Sequence, residues 1–310
     1  MTTIAFLGPR GTFTEAAARS MPISAGAELI PHRSVTAALS AVRSGEVDLA
    51  LVPIENSLEG NVTASLDELA LGEPLCIVDE CTLPVTFALL VRHGVKLSDI
   101  TTVSTHPAAE AQTRGWLSAN VPHASVVSAV STAAAAAALA EGADFDAAIA
   151  PAIAAEFYDL EVLANDIGDV DTAATRFALV SRQVPPPSPT GADKTTLVLY
   201  MRADHSGALH EILNEFTVRG VNLTRIESRP TKQALGDYFF VVDAEGHVAD
   251  PRLGEAMMGL HRVCASVRYL GSYPRHDGQA PQMRRGTADA DFRAAGEWLE
   301  RVRTTGRSDS

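Results

Sequence analysis

Pro185-Pro186-Pro187-Ser188-Pro189-Thr190-Gly191 constrains this chain more than any other stretch. Each proline fixes φ and carries no N–H, so the run can be neither a helix interior nor a central strand, and it reads as a stiff, extended linker. It divides 310 residues into two stretches, each long enough to bury a core. Charge divides at the same place. Residues 1–184 hold 9 Lys and Arg against 22 Asp and Glu, whereas residues 185–310 hold 16 of each, so the whole net charge of −13 lies before the linker. Such a balance excludes a nucleic-acid surface, which needs clustered positive charge, and it makes each cation of the first stretch a candidate partner for an anion.

Before the linker, strands and helices alternate. Thr3–Leu7 reads as a buried strand, Gly8-Pro9-Arg10-Gly11 as a turn, and Thr12 as the cap of a helix with an acid three residues on. A strand, a glycine turn and a helix start can offer unpaired N–H groups to an anion, or can simply make a tight turn. Neither G-x-x-x-x-G-K-[ST] nor G-x-G-x-x-G is present, so a nucleotide phosphate is not expected there. A short strand at 28–30, a helix at 34–43 and a strand at 48–52 follow. The polar run Pro53–Asn61 then reads as a loop at a strand's carboxyl end, where open α/β sheets bind ligands. Within it, Asn56 and Ser57 suit either a site or a turn.

Leu75–Val91 suggests two consecutive strands crossing between halves of the domain. Thereafter come a strand at 101–104, a helix opened by Thr105-His106-Pro107 and running through Gln112 to Leu117, a strand at 126–128 and an alanine-rich helix at 132–140. A strand at 146–150, a helix from Pro151, a strand at 160–163 and an acidic loop from Asp166 to Asp171 lead to a strand opening at Ala174-Thr175-Arg176-Phe177. His106 and Gln112 stand roughly 240° apart around their helix, so they do not share a face. His106 reads as a polar turn residue rather than a base. The whole describes a two-lobe α/β domain with a hinged cleft, resembling the type 2 periplasmic binding proteins.

Past the linker the rhythm becomes βαββαβ, the ferredoxin-like order: strand 195–201, helix 207–219, strands 221–229 and 238–243, helix 251–263, strand 266–270. A tail helix at 290–303 spaces Phe292, Ala295 and Leu299 along one face, to dock or to fray. The expected domains are thus residues 1–184, a linker 185–194, residues 195–274 and a tail 275–310. Cys76, Cys81 and Cys264 form no C-x-x-C pair and read as buried, inert thiols rather than a disulfide or zinc set. No charged and apolar leader opens the chain and no long apolar run interrupts it, so a cytoplasmic protein without a membrane span is expected.

Gly8-Pro9-Arg10-Gly11-Thr12-Phe13-Thr14-Glu15, Pro53-Ile54-Glu55-Asn56-Ser57-Leu58-Glu59-Gly60, Ser104-Thr105-His106-Pro107 with Gln112, and Thr175-Arg176-Phe177 resemble, in order, the four catalytic motifs of the prephenate dehydratase family. Gly207-Ala208-Leu209 and Glu227-Ser228-Arg229-Pro230 resemble the two effector motifs of an ACT regulatory domain. Some relatives carry a chorismate mutase domain ahead of the dehydratase; with a first strand at Thr3, none is expected here.

The resemblance implies decarboxylating dehydration of prephenate to phenylpyruvate, water and carbon dioxide in phenylalanine biosynthesis, with no metal or organic cofactor. It implies Thr175 as the donor to the departing hydroxyl, with Asn56 and Gln112 in the same network. Arg176 is assigned to a substrate carboxylate, because a planar fork matches that group and this stretch has few cations. Phe177, Ser57, Gly11, Thr12, Thr105 and His106 complete the expected substrate contacts, with Phe177 suited to core as well.

Regulation is implied too. L-Phenylalanine is expected between two ACT domains, held by Gly207, Ala208 and Leu209 of one and the Asn222-Leu223 region of the other, with Glu227, Ser228, Arg229 and Pro230 contributing. A homodimer or homotetramer follows. Arogenate dehydratase activity is the near alternative, since spacing cannot separate the two substrates. A solute-binding module of the same two-lobe shape is the distant one, and it calls for an export signal that is not visible.

Overall fold

Ile4, Ala5 and Phe6 are fully buried, and β1 (Thr3–Leu7) that carries them is central in its sheet, parallel to neighbours on both sides. After β1 come α1 (Phe13–Ser20), β2 (Glu28–His32), α2 (Val35–Ser44), β3 (Leu49–Asn56), β4 (Gly60–Asn61), α3 (Thr63–Leu71) and β5 (Leu75–Pro84). This computed structural model describes residues 1–232 and 237–307, so the last three residues of the expected tail lie outside the described residues. The chain divides into two compact units: Met1–Ser65 with Cys81–Val180, and Leu66–Glu80 with Ser181–Ser310. A single cut at the proline run does not describe this, because Leu66–Glu80 belongs to the second unit.

In the first unit the chain crosses from β5 to β6 (Ala88–Val91) and builds a second lobe. Its elements are β7 (Thr102–Thr105), α4 (Pro107–Asn120), β8 (Ser125–Ser128), α5 (Thr132–Ala140), β9 (Ala147–Ala150), α6 (Ile153–Tyr158) and β10 (Glu161–Ala164). The chain then returns to the first sheet as β11 (Ala174–Arg182). The sheets run β2-β1-β3-β11-β5, with β4 paired to β3, and β10-β6-β9-β7-β8. Both faces of the second are covered. Leu89, Val91 and Ile149 pack into one cluster, while Leu90, Ala148 and Ala150 pack into another, so these strands read as continuous apolar runs.

One local expectation changes. The strand expected to stop at Val52 runs on to Asn56 and folds back, with Glu55 opposite Asn61 and Asn56 opposite Gly60. Pro53 is tolerated because the pairing of β3 with β1 ends at Leu51, so its missing N–H breaks no bond on that side. Helix α3 was not legible as a separate element beside this polar run.

The second unit forms β12 (Asp193–Tyr200), α7 (Ala208–Thr217), β13 (Leu223–Pro230), β14 (Tyr238–Glu245), α8 (Pro251–Val263) and β15 (Ser266–Pro274), an antiparallel sheet ordered β13-β14-β12-β15. Leu197, Leu199, Val242 and Ala244 meet Ile212, Phe216, Leu253 and Leu260 of the two helices. Within the same unit, residues 66–80 are tied to strand residues of the sheet. Tyr200 Oη donates to the Ala70 carbonyl at 2.8 Å, Arg268 donates to the Ala70 and Gly72 carbonyls at 2.6 Å each, and Lys194 Nζ reaches Glu80 at 3.0 Å. Tail helix α9 (Asp289–Thr305) forms as expected and docks at its start, where Asp289 accepts the Arg252 N–H at 3.2 Å. None of its residues is fully buried, and Trp298 and Leu299 remain exposed. The three cysteines are buried thiols outside any disulfide, and burial pushes the Cys264 thiol up to about 11. Among the described residues no helix is long and apolar enough to cross a membrane.

Candidate functional site

Asn56 ends β3 and Thr175 is the second residue of β11, and neighbouring strands in one sheet bring these residues together across 119 positions of sequence. Asn56 Nδ2 donates to Thr175 Oγ1 at 2.9 Å. The direction of that bond is fixed by the turn: Asn56 Oδ1 accepts the Leu58 and Glu59 N–H groups at 2.9 Å each, so only the amide nitrogen is left to face Thr175. A hydroxyl that accepts through its oxygen keeps its hydrogen to donate onward. Ser57 locks the pair in place, since its N–H donates to the Ala174 carbonyl at 2.9 Å and its Oγ accepts the Ala174 N–H at 3.0 Å.

Gln112 comes to the same hairpin from α4, its Nε2 donating to Glu59 Oε1 at 3.4 Å. It meets the turn beside Asn56 rather than Thr175 itself. Arg176 is half-buried. Successive strand residues leave on opposite faces, so a ligand met by both Thr175 and Arg176 must lie across the start of the strand.

Other expected contacts are given different work. Phe177 is only 1% exposed and fills core. Thr105 is fully buried, its hydroxyl donating to the Ile149 carbonyl at 2.8 Å. Thr12 caps α1, accepting from the Glu15 N–H at 3.3 Å and donating to the Leu7 carbonyl at 3.1 Å. Gly11 offers no spare donor, because its N–H is bound to Glu15 Oε2 at 2.8 Å. A buried carboxylate, paired with Arg19 at 3.1 Å, thus occupies the place imagined for an anion. Gly11 answers a packing need instead: a Cβ there would stand 2.9 Å from Ala154 Cα. His106 is a cap, its Nδ1 accepting the Ala108 N–H at 3.2 Å.

In the second unit, Gly207 opens α7 with φ of 96°, a conformation that favours glycine. With Ala208, Leu209 and Ser228 it lines a hollow of about 330 Å³. Asn222 and Leu223 line a different hollow of about 710 Å³, together with Arg275, Met283 and Arg284. Arg229 is already engaged: its guanidinium holds Asp67 of α3 at 3.0 Å, and both side chains are largely buried. Glu227 and Pro230 share its strand, β13.

A family model described as prephenate dehydratase matches residues 4–185, and one described as the ACT domain matches residues 195–261. The prephenate dehydratase of Amycolatopsis methanolica is 50% identical over 305 residues, spanning 97% of this chain and 98% of its own. This chain belongs to the prephenate dehydratase family. Its members are hydro-lyases, and this chain is an enzyme of that kind, with an ACT domain after the catalytic region. The crystal structure of prephenate dehydratase from Arthrobacter aurescens, in complex with L-Phe, is 52% identical with a TM-score of 0.92, covering 97% of this chain and 99% of its own. Another solved structure, GqqA, is 34% identical with a TM-score of 0.77 over 88% of this chain and 97% of its own, and is described as a novel type of quorum quenching acylase. The fold alone therefore does not set the chemistry; the site must.

Glu59 lay inside a quoted motif without an assigned part, and its contact with Gln112 spans 53 residues, which no local pattern reports. Tyr158 was missed altogether. Its hydroxyl donates to the Arg10 carbonyl at 2.9 Å, steadying the glycine turn, and burial pushes its pKa up.

Proposed function

We propose that prephenate is turned over at the junction of β3 and β11, with Thr175 as the donor that helps the ring hydroxyl leave. The observation that carries this is the directed bond from Asn56 to Thr175. A free threonine hydroxyl is too weak an acid to protonate a leaving group unaided. Donation from Asn56 into its oxygen polarises the O–H outward, and the Asn56 turn fixes that donor before substrate arrives, as preorganised electrostatic stabilisation requires. Gln112, from the other lobe, adds a further amide. Aromatisation supplies the driving force, so positioning carries much of the remaining barrier.

Arg176 takes the pyruvyl carboxylate in this reading. An equally strong clamp on the ring carboxylate would hold charge on the group that must leave as neutral carbon dioxide. His106 and Ser57 border the site, the former through its second ring nitrogen. The reading divides the chain into a catalytic domain at 1–184, a linker at 185–194, an ACT domain at 195–274 and a tail at 275–310.

L-Phenylalanine is proposed as feedback inhibitor, bound between two ACT domains. Gly207–Leu209 and Asn222–Leu223 line different hollows in one chain, which suits a site completed by a second chain. A homodimer is the smallest assembly that does so; a homotetramer does so twice. An effector inhibits only by binding two states unequally, so phenylalanine must favour a state whose cleft turns over more slowly.

One assay tests the reading. Purified enzyme is given prephenate and, separately, arogenate, with phenylpyruvate and phenylalanine followed as products, with and without added phenylalanine. Formation of phenylpyruvate from prephenate, suppressed by phenylalanine, is expected. Preference for arogenate would replace the substrate, and turnover indifferent to phenylalanine would remove the effector.

A further inference from the structure

Asp169 sits in the acidic loop between β10 and β11, six residues before Thr175, outside the matched motifs. Its two carboxylate oxygens accept the backbone N–H groups of Gly115 at 2.7 Å and Trp116 at 3.1 Å, while its own N–H donates to the Gln112 carbonyl at 2.7 Å. Three bonds thus join one loop residue to one turn of α4, the turn that begins at Gln112. In an uninterrupted helix the Trp116 N–H answers the carbonyl four residues back, which is that of Gln112. Asp169 bonds to both ends of that step, its N–H to the Gln112 carbonyl and its Oδ1 from the Trp116 N–H.

Gly115 makes the room. A Cβ at that position would lie 2.8 Å from Asp169 Oδ1, closer than carbon and oxygen tolerate. The rest of the loop is held as well. Ile167 N–H donates to the Phe87 carbonyl at 2.9 Å, and the Ala173 carbonyl accepts the Val85 N–H at 2.8 Å. Only residues 170–172 separate the Asp169 clamp from Ala173. The residue after that, Ala174, is the one paired with Ser57.

We infer that Asp169 is a positioning residue for catalysis: it fastens the turn of α4 that carries Gln112 to the loop that delivers Thr175. The amide on α4 and the hydroxyl on β11 then keep one spacing. The inference rests on the part proposed for Gln112. Release of the clamp leaves both groups present and their mutual geometry loose, and a misplacement of about 1 Å costs on the order of 100-fold in a positioned reaction.

The test is a double-mutant cycle on kcat and KM for prephenate, using Asp169→Ala, Gln112→Ala and the pair, with a thermal melt of each. Gly115→Ala probes the same contact from the helix side, and Asp169→Asn keeps one acceptor oxygen should the alanine variant fail to fold. Asp169→Ala is expected to lower kcat by about 10- to 100-fold with KM changed less than about threefold. Gly115→Ala moves in the same direction, Asp169→Asn falls between, and the double variant is within about twofold of Gln112→Ala alone. Wild-type kcat in Asp169→Ala and Gly115→Ala overturns the inference. A slow Gln112→Ala onto which the Asp169→Ala loss multiplies in full also overturns it, while leaving the part of Gln112 intact. Wild-type turnover in Gln112→Ala overturns that part and the inference with it.

Discussion

The cleft of the first unit and the hollows of the second are built on opposite plans. In the cleft, residues 119 positions apart close a hydrogen bond within one chain, and Ser57 and Ala174 close two more. In the second unit, Gly207 and Asn222 stand only 15 residues apart in sequence, yet they line separate hollows. Distance along the chain therefore says little about which residues share a site. Strand pairing decides it for the cleft, whereas the effector reading proposed above calls on a second chain.

If that contrast holds, substitutions in the cleft cut turnover without touching effector binding, and those in the hollows do the reverse. Asn56→Ala removes the donor that polarises Thr175, and kcat should fall by about 100- to 1,000-fold, measured with saturating prephenate. Phenylalanine binding by calorimetry should be unchanged. Gly207→Asp forces a side chain onto a left-handed backbone and brings a negative charge to the hollow proposed for the effector. Phenylalanine inhibition should be lost at concentrations about 10-fold above the wild-type midpoint, with uninhibited kcat within about twofold.

Arg229→Ala is a sharper probe, because it separates the two uses of one motif. Its loss leaves Asp67 with Lys232 alone, at 2.7 Å, and should lower unfolding stability by about 1 kcal/mol in denaturant titration. Phenylalanine affinity should change less than in Gly207→Asp. The smallest effect concerns pH. Arg275 holds Asp277 below the usual carboxylate value of 3.8, at about 2. A depressed carboxylate stabilises the fold above its unfolded value, so this contribution is present at pH 7, declines below about 4 and is gone below about 2. Asp277→Asn should flatten the acid limb slightly by lowering neutral stability a little, with no change below about pH 2, and the effect stays small because the carboxylate is about half exposed to screening solvent.

How much was legible in the sequence depends on how local the cause is. Helices at 132–140 and 251–263 were bounded correctly because Ser131 caps one, accepting the Ala134 N–H at 3.0 Å, and Pro251 opens the other. The extension of β3 through Pro53 was not, since a proline signals a strand's end unless the neighbour has already stopped pairing. Asn56, Ser57 and Thr175 were named from motif resemblance, and their meeting required the sheet order. Gly11, Thr12, Thr105 and Phe177 belong to the same motifs yet serve the fold, because short motifs do not distinguish groups that face a ligand from those that hold a turn. The place of Leu66–Glu80 in the second unit left no signal in composition or periodicity.

In the proposed reaction a single hydroxyl, oriented by Asn56, does the chemical work. That role is tested most directly by comparing Thr175→Ser with Thr175→Ala in single-turnover measurements on prephenate, with thermal melts alongside. Serine keeps the oxygen within reach of Asn56 Nδ2, and turnover should stay within about 10-fold of wild type, while alanine should lose about 100- to 1,000-fold with an unchanged melt. Near wild-type turnover in Thr175→Ala, with the fold intact, would contradict the account.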